Sequence, residues 1–455
     1  MTDFSALHVA LSGLRAAQLA MDVAANNVSN AQTPGYTRQR VDLRARPSRT
    51  DPSGQVGLGV EVTDVARIRD RFLDLRYRGA DSALGSVEVR AELLSRAELI
   101  LAEPDAGLTA ELNELWDAFE DLSLDPPDRA SRIAVINQLD SVASRVNDVA
   151  QGLTDLRASA VSSLEATISE TNDVLRRVAD LNAAILDASA RPGTPNDLLD
   201  QRDVLLDRLA RTVGASFLDE GDGTVRVMIG GISLVAGTDV RELSLDTSTL
   251  QILHPSGVAV VPGGDAGGYQ QFLTQELVDL TGRIDQFATD LADALNAVHA
   301  TGFSTSGPGG DLLTFDPTAP AATLRVAFTD PDLLATASSA GPPFPAFDGT
   351  VATALADLRT QPAALGGTVS LEESLRAIIT DLGAQTASAQ LGASTQRDLV
   401  TAADVARMAT HGVSLDEEMV TLMEYQRMYE AAARTITAVD EALDVLINRT
   451  GVVGR

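Results

Sequence analysis

The sequence predicts a mainly α-helical chain with β insertions, in which N- and C-terminal helices pair as a coiled-coil-like domain. A long-helix bundle lies outside that pair, and one or more small β-rich domains are inserted in the middle. Three observations carry this expectation. Apolar residues recur at steps of three and four at both ends of the chain. Long helical tracts follow one another through the interior. The period changes to alternation after Ala215, where glycine-rich turns begin.

At the N-terminus, Phe4, Leu7, Leu11, Leu14, Gln18, Met21, Ala25 and Val28 form one seam of a helix, with Gln18 and Ala25 as its weak positions. The segment "SNAQTPGYTRQR" then ends it. Pro34 fixes φ at the first central position of a tight turn, and Gly35 supplies the positive φ that a type II turn needs next. The chain therefore turns at Thr33 to Tyr36 and releases a strand-like piece carrying Tyr36, Arg38 and Arg40. Asn26, Asn27 and Asn30 read as hydrogen-bonding groups at the helix end. Arg38 and Arg40 read either as solvated charges or as partners for acids of a neighbouring subunit.

Further on, "LTAELNELWDAFEDLSLDP" is a helix ending at Pro126-Pro127, and a second tract runs from about Ala130 to Ala190. Its later half carries Leu164, Ile168, Thr171, Leu175, Val178, Asn182 and Ile185 at seam spacing, Asn182 being a polar residue able to fix register. After "RPGTP", "NDLLDQRDVLLDRLA" resumes a helix with Asn196 or Asp197 as its cap. From Ala215 the alternation around Gly221-Asp222-Gly223 predicts a β-hairpin. A helix from about Tyr269 to Ala300, a Gly/Pro-rich stretch from Ser304 to Gly367 with short strand candidates, and a helix from Leu371 to Thr410 complete the interior.

The C-terminal helix has the stronger seam: Leu422, Tyr425, Tyr429, Ala432, Ile436, Val439, Leu443 and Leu446, with Ser414 and Glu417 spaced as a capping box. Tyr425 and Tyr429 read as buried seam residues before recognition anchors. The expected division is 1–46 with 412–455 for the terminal helices, 47–213 with 268–303 and 368–411 for the bundle, and 214–267 and 304–367 for the β-rich insertions. Burying one such stripe against a single partner does not clearly outweigh the entropy of ordering its backbone. The terminal helices are thus expected to need several neighbours, and to complete their folding on assembly.

Composition narrows the function. The 455 residues carry a net charge of −29, which opposes nonspecific binding to nucleic acid or to an anionic membrane surface. The interval from Gly35 to Arg78 departs from this with ten Arg against six acids, but its Arg residues alternate with acids and base-stacking aromatics are sparse. All basic residues are Arg and Cys is absent, which excludes lysine Schiff bases, P-loop lysines, thiol nucleophiles and Cys-ligated metals. His8, His254, His299 and His411 are too far apart for a helical metal pair, and no G-x-S-x-G occurs. No enzyme and no cofactor is expected. A cytosolic hydrolase built on a carboxylate pair stays as the remote alternative. The N-terminus has neither the basic region nor the apolar run of a cleavable signal, and no membrane insertion is expected.

Several segments resemble one family. "LSGLRAAQLAMDVAANNVSNAQTPGYTRQRV" is similar to the helix and turn shared by bacterial flagellar axial proteins, and its "GYTRQ" ending resembles the hook-associated family that forms the junction between hook and filament. "GVGLGVEVTDVARIRDRFLDLRYR", "LLDQRDVLLDRLARTVG", "DALNAVHATGF" and "GVSLDEEMVTLMEYQRMYEAAARTITAVDEALDVLINR" resemble further segments of that family in the same order. The resemblance implies a structural subunit of the extracellular flagellum, exported by the flagellar type III pathway without a cleaved signal peptide and needed for filament assembly. Its implied partners are identical subunits in a ring or helical layer, the hook protein, the second hook-associated protein, and an export chaperone on the C-terminal face of Ile436, Val439, Leu443 and Leu446. A hook- or rod-type axial protein is the alternative within the class, and the helices from Ala130 to Leu209 favour the junction family. The β-rich parts, Ala215 to Gly267 and Ser304 to Gly367, are compact beside those of longer members.

Overall fold

The computed structural model of the protein describes residues 4–51, 54–101, 107–341 and 343–445. Its helices in chain order are α1 (Phe4–Ser29), α2 (Arg71–Leu101), α3 (Leu108–Leu124), α4 (Arg129–Ser189), α5 (Asn196–Val213), α6 (Gly264–Gln271), α7 (Leu277–His299), the short α8 (Pro320–Thr323) and α9 (Thr350–Asp357), α10 (Leu371–His411) and α11 (Leu415–Asp444). The terminal helices α1 and α11 lie together, and the other long helices form the body.

The spine of the body is α4, whose 61 residues span about 90 Å at 1.5 Å per residue. Asp128 starts it by accepting hydrogen bonds from the backbone N–H groups of Ala130 and Ser131. A buried stripe from Val135 through Leu153 and Leu175 to Ile185 runs the length of this helix. Against its first half packs α3, where Trp116 and Phe119 stack with ring centroids 6.4 Å apart, both fully buried. Ala130 to Ala190 was the expected helix, and the structure keeps it unbroken.

The second body helix, α2, was not foreseen. Its buried face opens with Asp74 and Arg78 and becomes apolar only from Leu84 onwards. A periodicity of apolar residues cannot register a helix whose first turns are buried through charges. It lies antiparallel to α10: Gln396 donates to the Ala80 carbonyl, and near the other end Gly383 approaches Glu98. Ser370 and Glu373 close a reciprocal capping box at the start of α10. At α11 only half of the expected box forms, with Ser414 Oγ accepting from the Glu417 N–H. Neither Asn196 nor Asp197 caps α5, because Asn196 turns its amide to the Val65 carbonyl instead. Helix α6 begins at Gly264, ahead of the expected Tyr269, through glycines that carry no apolar period, and a π-helical turn at Phe272–Glu276 joins it to α7.

Strands β1 (Gln39–Ala45) and β4 (Val60–Arg67) pair as an antiparallel ribbon, extended by β2 (Arg49–Asp51) and β3 (Gly54–Val56). The ribbon lies on α1. Ser12 Oγ accepts from the Val60 N–H, and Gly59, at φ +92°, must be glycine because a Cβ would run into Ser12 and the α1 backbone at Val9. The expected boundary after residue 46 therefore falls inside the ribbon. The unit at the chain ends consists of α1, the ribbon and α11, and is called the rod below.

The two insertions sit at opposite ends of α4. The first is a four-stranded meander, β5 (Ser216–Asp219), β6 (Val225–Ile229), β7 (Ile232–Ala236) and β8 (Asp239–Val240), followed by the three-stranded β9 (Ser244–Asp246), β10 (Gln251–Leu253) and β11 (Ala259–Val260). Asn182, fully buried, pins it to the later half of α4: its amide donates to the carbonyls of Val225 and Gly237, and its Oδ1 accepts from the Val225 N–H and Arg202. The register role expected of Asn182 is thus exercised on a sheet and not on a partner helix. The second insertion holds only two-residue strands, β12 (Phe303–Ser304), β13 (Gly307–Pro308), β14 (Leu313–Thr314) and β15 (Arg325–Val326). Arg132, near the start of α4, organises it by donating to the carbonyls of Pro331 and Leu334 and to Thr336. Both insertions share the apolar core of the helices, so neither stands as a separate domain. The boundary expected at 267 falls within α6.

Replacing Asn182 with Ala should lower the unfolding free energy by about 2–3 kcal/mol, because it takes the side-chain partner from the Val225 N–H and from the Val225 and Gly237 carbonyls and leaves Arg202 only the Gly223 carbonyl. Circular dichroism in urea reads the loss. Trp116, the chain's one tryptophan, reports the far end of α4; a fluorescence transition unmoved while the dichroism shifts would mean that the two ends unfold separately.

Candidate functional site

Among the described residues, no group of three or more His, Asp or Glu side chains is placed to hold a metal ion. What stands out is the joint between rod and body, where the chain crosses at residues 68–70 and again at 412–414. The backbone ties the crossings together, with the Arg38 N–H donating to the His411 carbonyl and the Ile68 N–H to the Arg38 carbonyl.

At the end of α1, Asn27 is 1% exposed and has every polar atom engaged. Its Nδ2 donates to the Gln39 carbonyl at 2.9 Å and to Glu418 Oε2 at 3.1 Å. Its Oδ1 accepts from the Gln39 N–H at 3.0 Å and from Tyr36 Oη at 2.8 Å. Burial, followed by the carboxylates of Asp200, Asp197 and Glu418, pushes the Tyr36 phenol up to about 12, so it stays a donor. Arg38 completes the knot, Nε meeting Glu418 at 2.6 Å and Nη1 meeting Glu417 at 2.8 Å. Glu418 is 2% exposed and would be costly to bury without these two partners.

From this knot a chain of ion pairs runs into the body. The Thr37 N–H donates to Asp200, which pairs with Arg67; Arg67 also meets Asp203 at 2.7 Å. Asp203 further pairs with Arg69 and Arg78, and Arg78 with Asp207 at 2.6 Å. Asp207 accepts from Arg407, whose guanidinium lies 3.8 Å above the Tyr77 ring. Arg69 also pairs with Asp74 at 2.6 Å, and Asp74 Oδ1 faces His411 Nδ1. His411 accepts at Nε2 from the Asp70 N–H, 2.7 Å away, so its proton sits on Nδ1 and the ring is neutral. Burial lowers its pKa, against the opposing pull of Asp74.

Pro34 and Gly35 form the tip of the turn. The Tyr36 N–H bonds the Thr33 carbonyl, and Gly35 has φ +80° with Val204 of α5 directly beneath, where a Cβ would collide. Clefts of about 690 and 360 Å³ flank the turn, the larger floored by α4 and α5 and the smaller reaching His411.

Of the N-terminal seam, Leu7, Leu11, Leu14, Met21 and Val28 are all half-buried, and the Phe4 side chain lies outside the described residues. The face fully covered within the chain is a different one: Ala10, Ala17, Ala20, Ala24 and Asn27. From Leu11 onward these sit one residue upstream of the seam positions, hence about 100° round the helix. On α11, Leu422, Tyr425, Tyr429, Ile436, Val439 and Leu443 are half-buried too, and Leu446 lies outside the described residues. Tyr425 shares a crevice with Ala20 and Ala24, so the large residues of α11 rest on the small ones of α1. Tyr425 and Tyr429 are thus less covered than core residues would be. The acids that pair with Arg38 belong to its own chain, and Arg40 pairs with Asp42. The Arg-rich stretch is used the same way, since Arg67, Arg69, Arg71 and Arg78 all meet internal carboxylates. Asp200, Asp203 and Asp207, missed from the sequence, recur at steps of three and four on one face of α5; that acidic stripe was the available signal.

Comparison with known proteins places this joint in context. Three family models match: one described as the flagellar hook-associated protein FlgK helical domain over residues 94–313, a flagella basal body rod protein model over residues 7–37, and the flagellar basal body rod FlgEFG protein C-terminal model over residues 407–449. Flagellar hook-associated protein 1 of Bacillus subtilis is 31% identical, the match covering 100% of both chains. The chain belongs to the flagellar hook-associated protein 1 family. The Escherichia coli member is 25% identical over 98% of this chain and 99% of its own. The solved flagellar hook junction protein FlgK from Burkholderia pseudomallei shares the fold, with a TM-score of 0.67 and 16% identity over 74% of this chain and 100% of that one. In this member of the family the two rod-protein matches cover α1 with its turn, and the end of α10 with α11, which are the two helices of the rod without its ribbon.

The joint makes a pH prediction. His411 is neutral in the fold with a pKa below that of the unfolded chain, about 6.5. The unfolded state therefore takes up a proton first, and the stability due to this group, complete above pH 6.5, is lost as pH falls towards the folded value. His411→Gln retains an acceptor for the Asp70 N–H without titrating. Denaturant midpoints at pH 7.5 and 5.5 should fall further for the wild type than for this variant; equal falls would mean that His411 does not carry the effect.

Proposed function

We propose that this hook-associated protein 1 family member is a structural subunit of the hook-filament junction of the bacterial flagellum. In this reading it leaves the cell by the flagellar type III pathway and stacks as a ring or helical layer between the hook protein and the second hook-associated protein. One observation carries the assembly role. The large apolar residues of α1 and α11 are only half covered within the chain, so the rod presents two stripes that further helices can complete. The same α11 face, before assembly, suits an export chaperone. The match of the body to the helical-domain model favours the junction over a hook- or rod-type role.

Cells lacking the protein should carry hooks without filaments in electron micrographs and shed filament subunits into the medium. Normal filaments would refute the proposal.

The seam itself is tested at Leu443. Leu443→Asp places a charge in the contact between subunits, where it is costly unless paired. Incorporation at the hook tip should fail, while the thermal unfolding of the body shifts by no more than about a degree or two, because the site is remote from it. Glu441→Gln, on the exposed face, should assemble normally. Assembly of Leu443→Asp at the level of that control would show that the seam lies elsewhere.

A further inference from the structure

We infer that residues 447–455 of one subunit dock in the larger cleft at the joint of a neighbouring copy. The inference rests on the junction reading above and adds a contact that links one subunit to the next.

The cleft lies where the turn after α1 stands over the body. It encloses about 690 Å³, with Pro34 and Tyr36 on the side of the turn and Leu181, Val204 and Leu205 on the side of the body. Val204 is 46% exposed although Gly35 lies directly above it, so the turn covers only part of this apolar floor. Asp180 and Asp197 also line the cleft, exposed and without an ion pair among the described residues. Asp200 is already paired with Arg67, and Arg177 is the one cation among the lining residues. After burial itself, Asp200 and Asp197 are what hold the Tyr36 phenol up, so the cleft is negative where it meets the turn. An occupant that is both apolar and cationic matches it.

The chain contains such a segment. Residues 447–455, which lie outside the described residues, read Ile-Asn-Arg-Thr-Gly-Val-Val-Gly-Arg. They carry Ile447, Val452 and Val453, two arginines in Arg449 and Arg455, and no acidic side chain, in a protein of net charge −29. Charge complementarity favours this occupant over the acidic remainder of the chain.

The segment cannot reach the cleft of its own subunit. Asn26 and Asn30 line the cleft while Asn27 between them bonds Glu418, so the cleft stands level with the first turns of α11. From Glu418 to the end of α11 at Asp444 the helix rises about 40 Å at 1.5 Å per residue. The ten residues beyond Val445 span at most about 36 Å when fully extended. A neighbouring copy has no such limit. Because cleft and segment stand at opposite ends of α11, each copy carries both halves, and the contact is heterologous and propagates into a ring or helix.

The test places the photo-crosslinking residue para-benzoylphenylalanine at Val452 or Val453 of the full chain, expressed as the sole copy. Flagella are isolated, irradiated and digested. The expected result is multimers on denaturing gels whose adducts join the segment to peptides within residues 177–205 of another copy. Variants that enter the junction but crosslink elsewhere, to another protein or not at all would overturn the inference and leave the junction role intact. As a second measurement, Asp180→Arg with Asp197→Arg should abolish these adducts, and adding Arg449→Asp with Arg455→Asp should restore them. Adducts that survive the first pair of substitutions would overturn the assignment to this cleft. A wild-type chain absent from the junction would instead overturn the function on which the inference rests.

Discussion

The pairing of Arg38 with Glu418, held in place by Asn27, fixes how the rod meets the body. Three groups that are expensive to bury alone become affordable together: a guanidinium, a carboxylate and an amide satisfy one another where α1 ends, β1 begins and α11 starts. Because Thr37 sits between this knot and Asp200, the carboxylates of α5 are drawn into the same lattice of charges, and through Arg78 and Arg407 so are α2 and α10. Only two covalent crossings connect rod to body. Their relative orientation is held by geometry-sensitive bonds and not by a broad apolar contact, which suits an element whose direction must be defined.

The body follows a different rule. There α4 is a continuous apolar spine, and polar side chains act as pins along it: Arg132 near its start, Asn172 and Asn182 further on, each bonded to the backbone of an insertion. His299 plays the same part from α7. Its Nδ1–H donates to the Gly310 carbonyl, its Nε2 accepts from the Ala335 N–H, and burial lowers its pKa. The insertions are thus extensions of one core, fastened where a buried side chain meets irregular backbone.

How much of this was legible depended on whether the information was local. The type II turn at Pro34-Gly35, the helix after Asp128 and the hairpin at Gly221 to Gly223 follow from nearest-neighbour chemistry, and could be read. Helix α2 could not, because its opening turns are buried by Asp74 and Arg78, whose partners lie more than a hundred residues away on α5 or belong to the lattice they share. The seam of α1 was read from its largest side chains, while the chain packs α11 against the alanines beside them. Size reports which residues gain by leaving water; it does not report which are covered by their own chain. The membership of the ribbon was equally hidden, since it is assigned to the rod by contacts distant in sequence, those of Gly59 and Val60 with Ser12 and of Gln39 with Asn27.

The alanine face of α1 has a geometric consequence. Helices that touch through alanine approach towards the lower end of the usual interaxial range of about 8–10 Å, so the pair is thin in the direction joining its axes. In a closed circle of fixed radius, a thinner wedge subtends a smaller angle. If the proposed ring closes through this pair, enlarging Ala17 or Ala20 would widen the wedge, so that fewer copies would complete the circle at that radius.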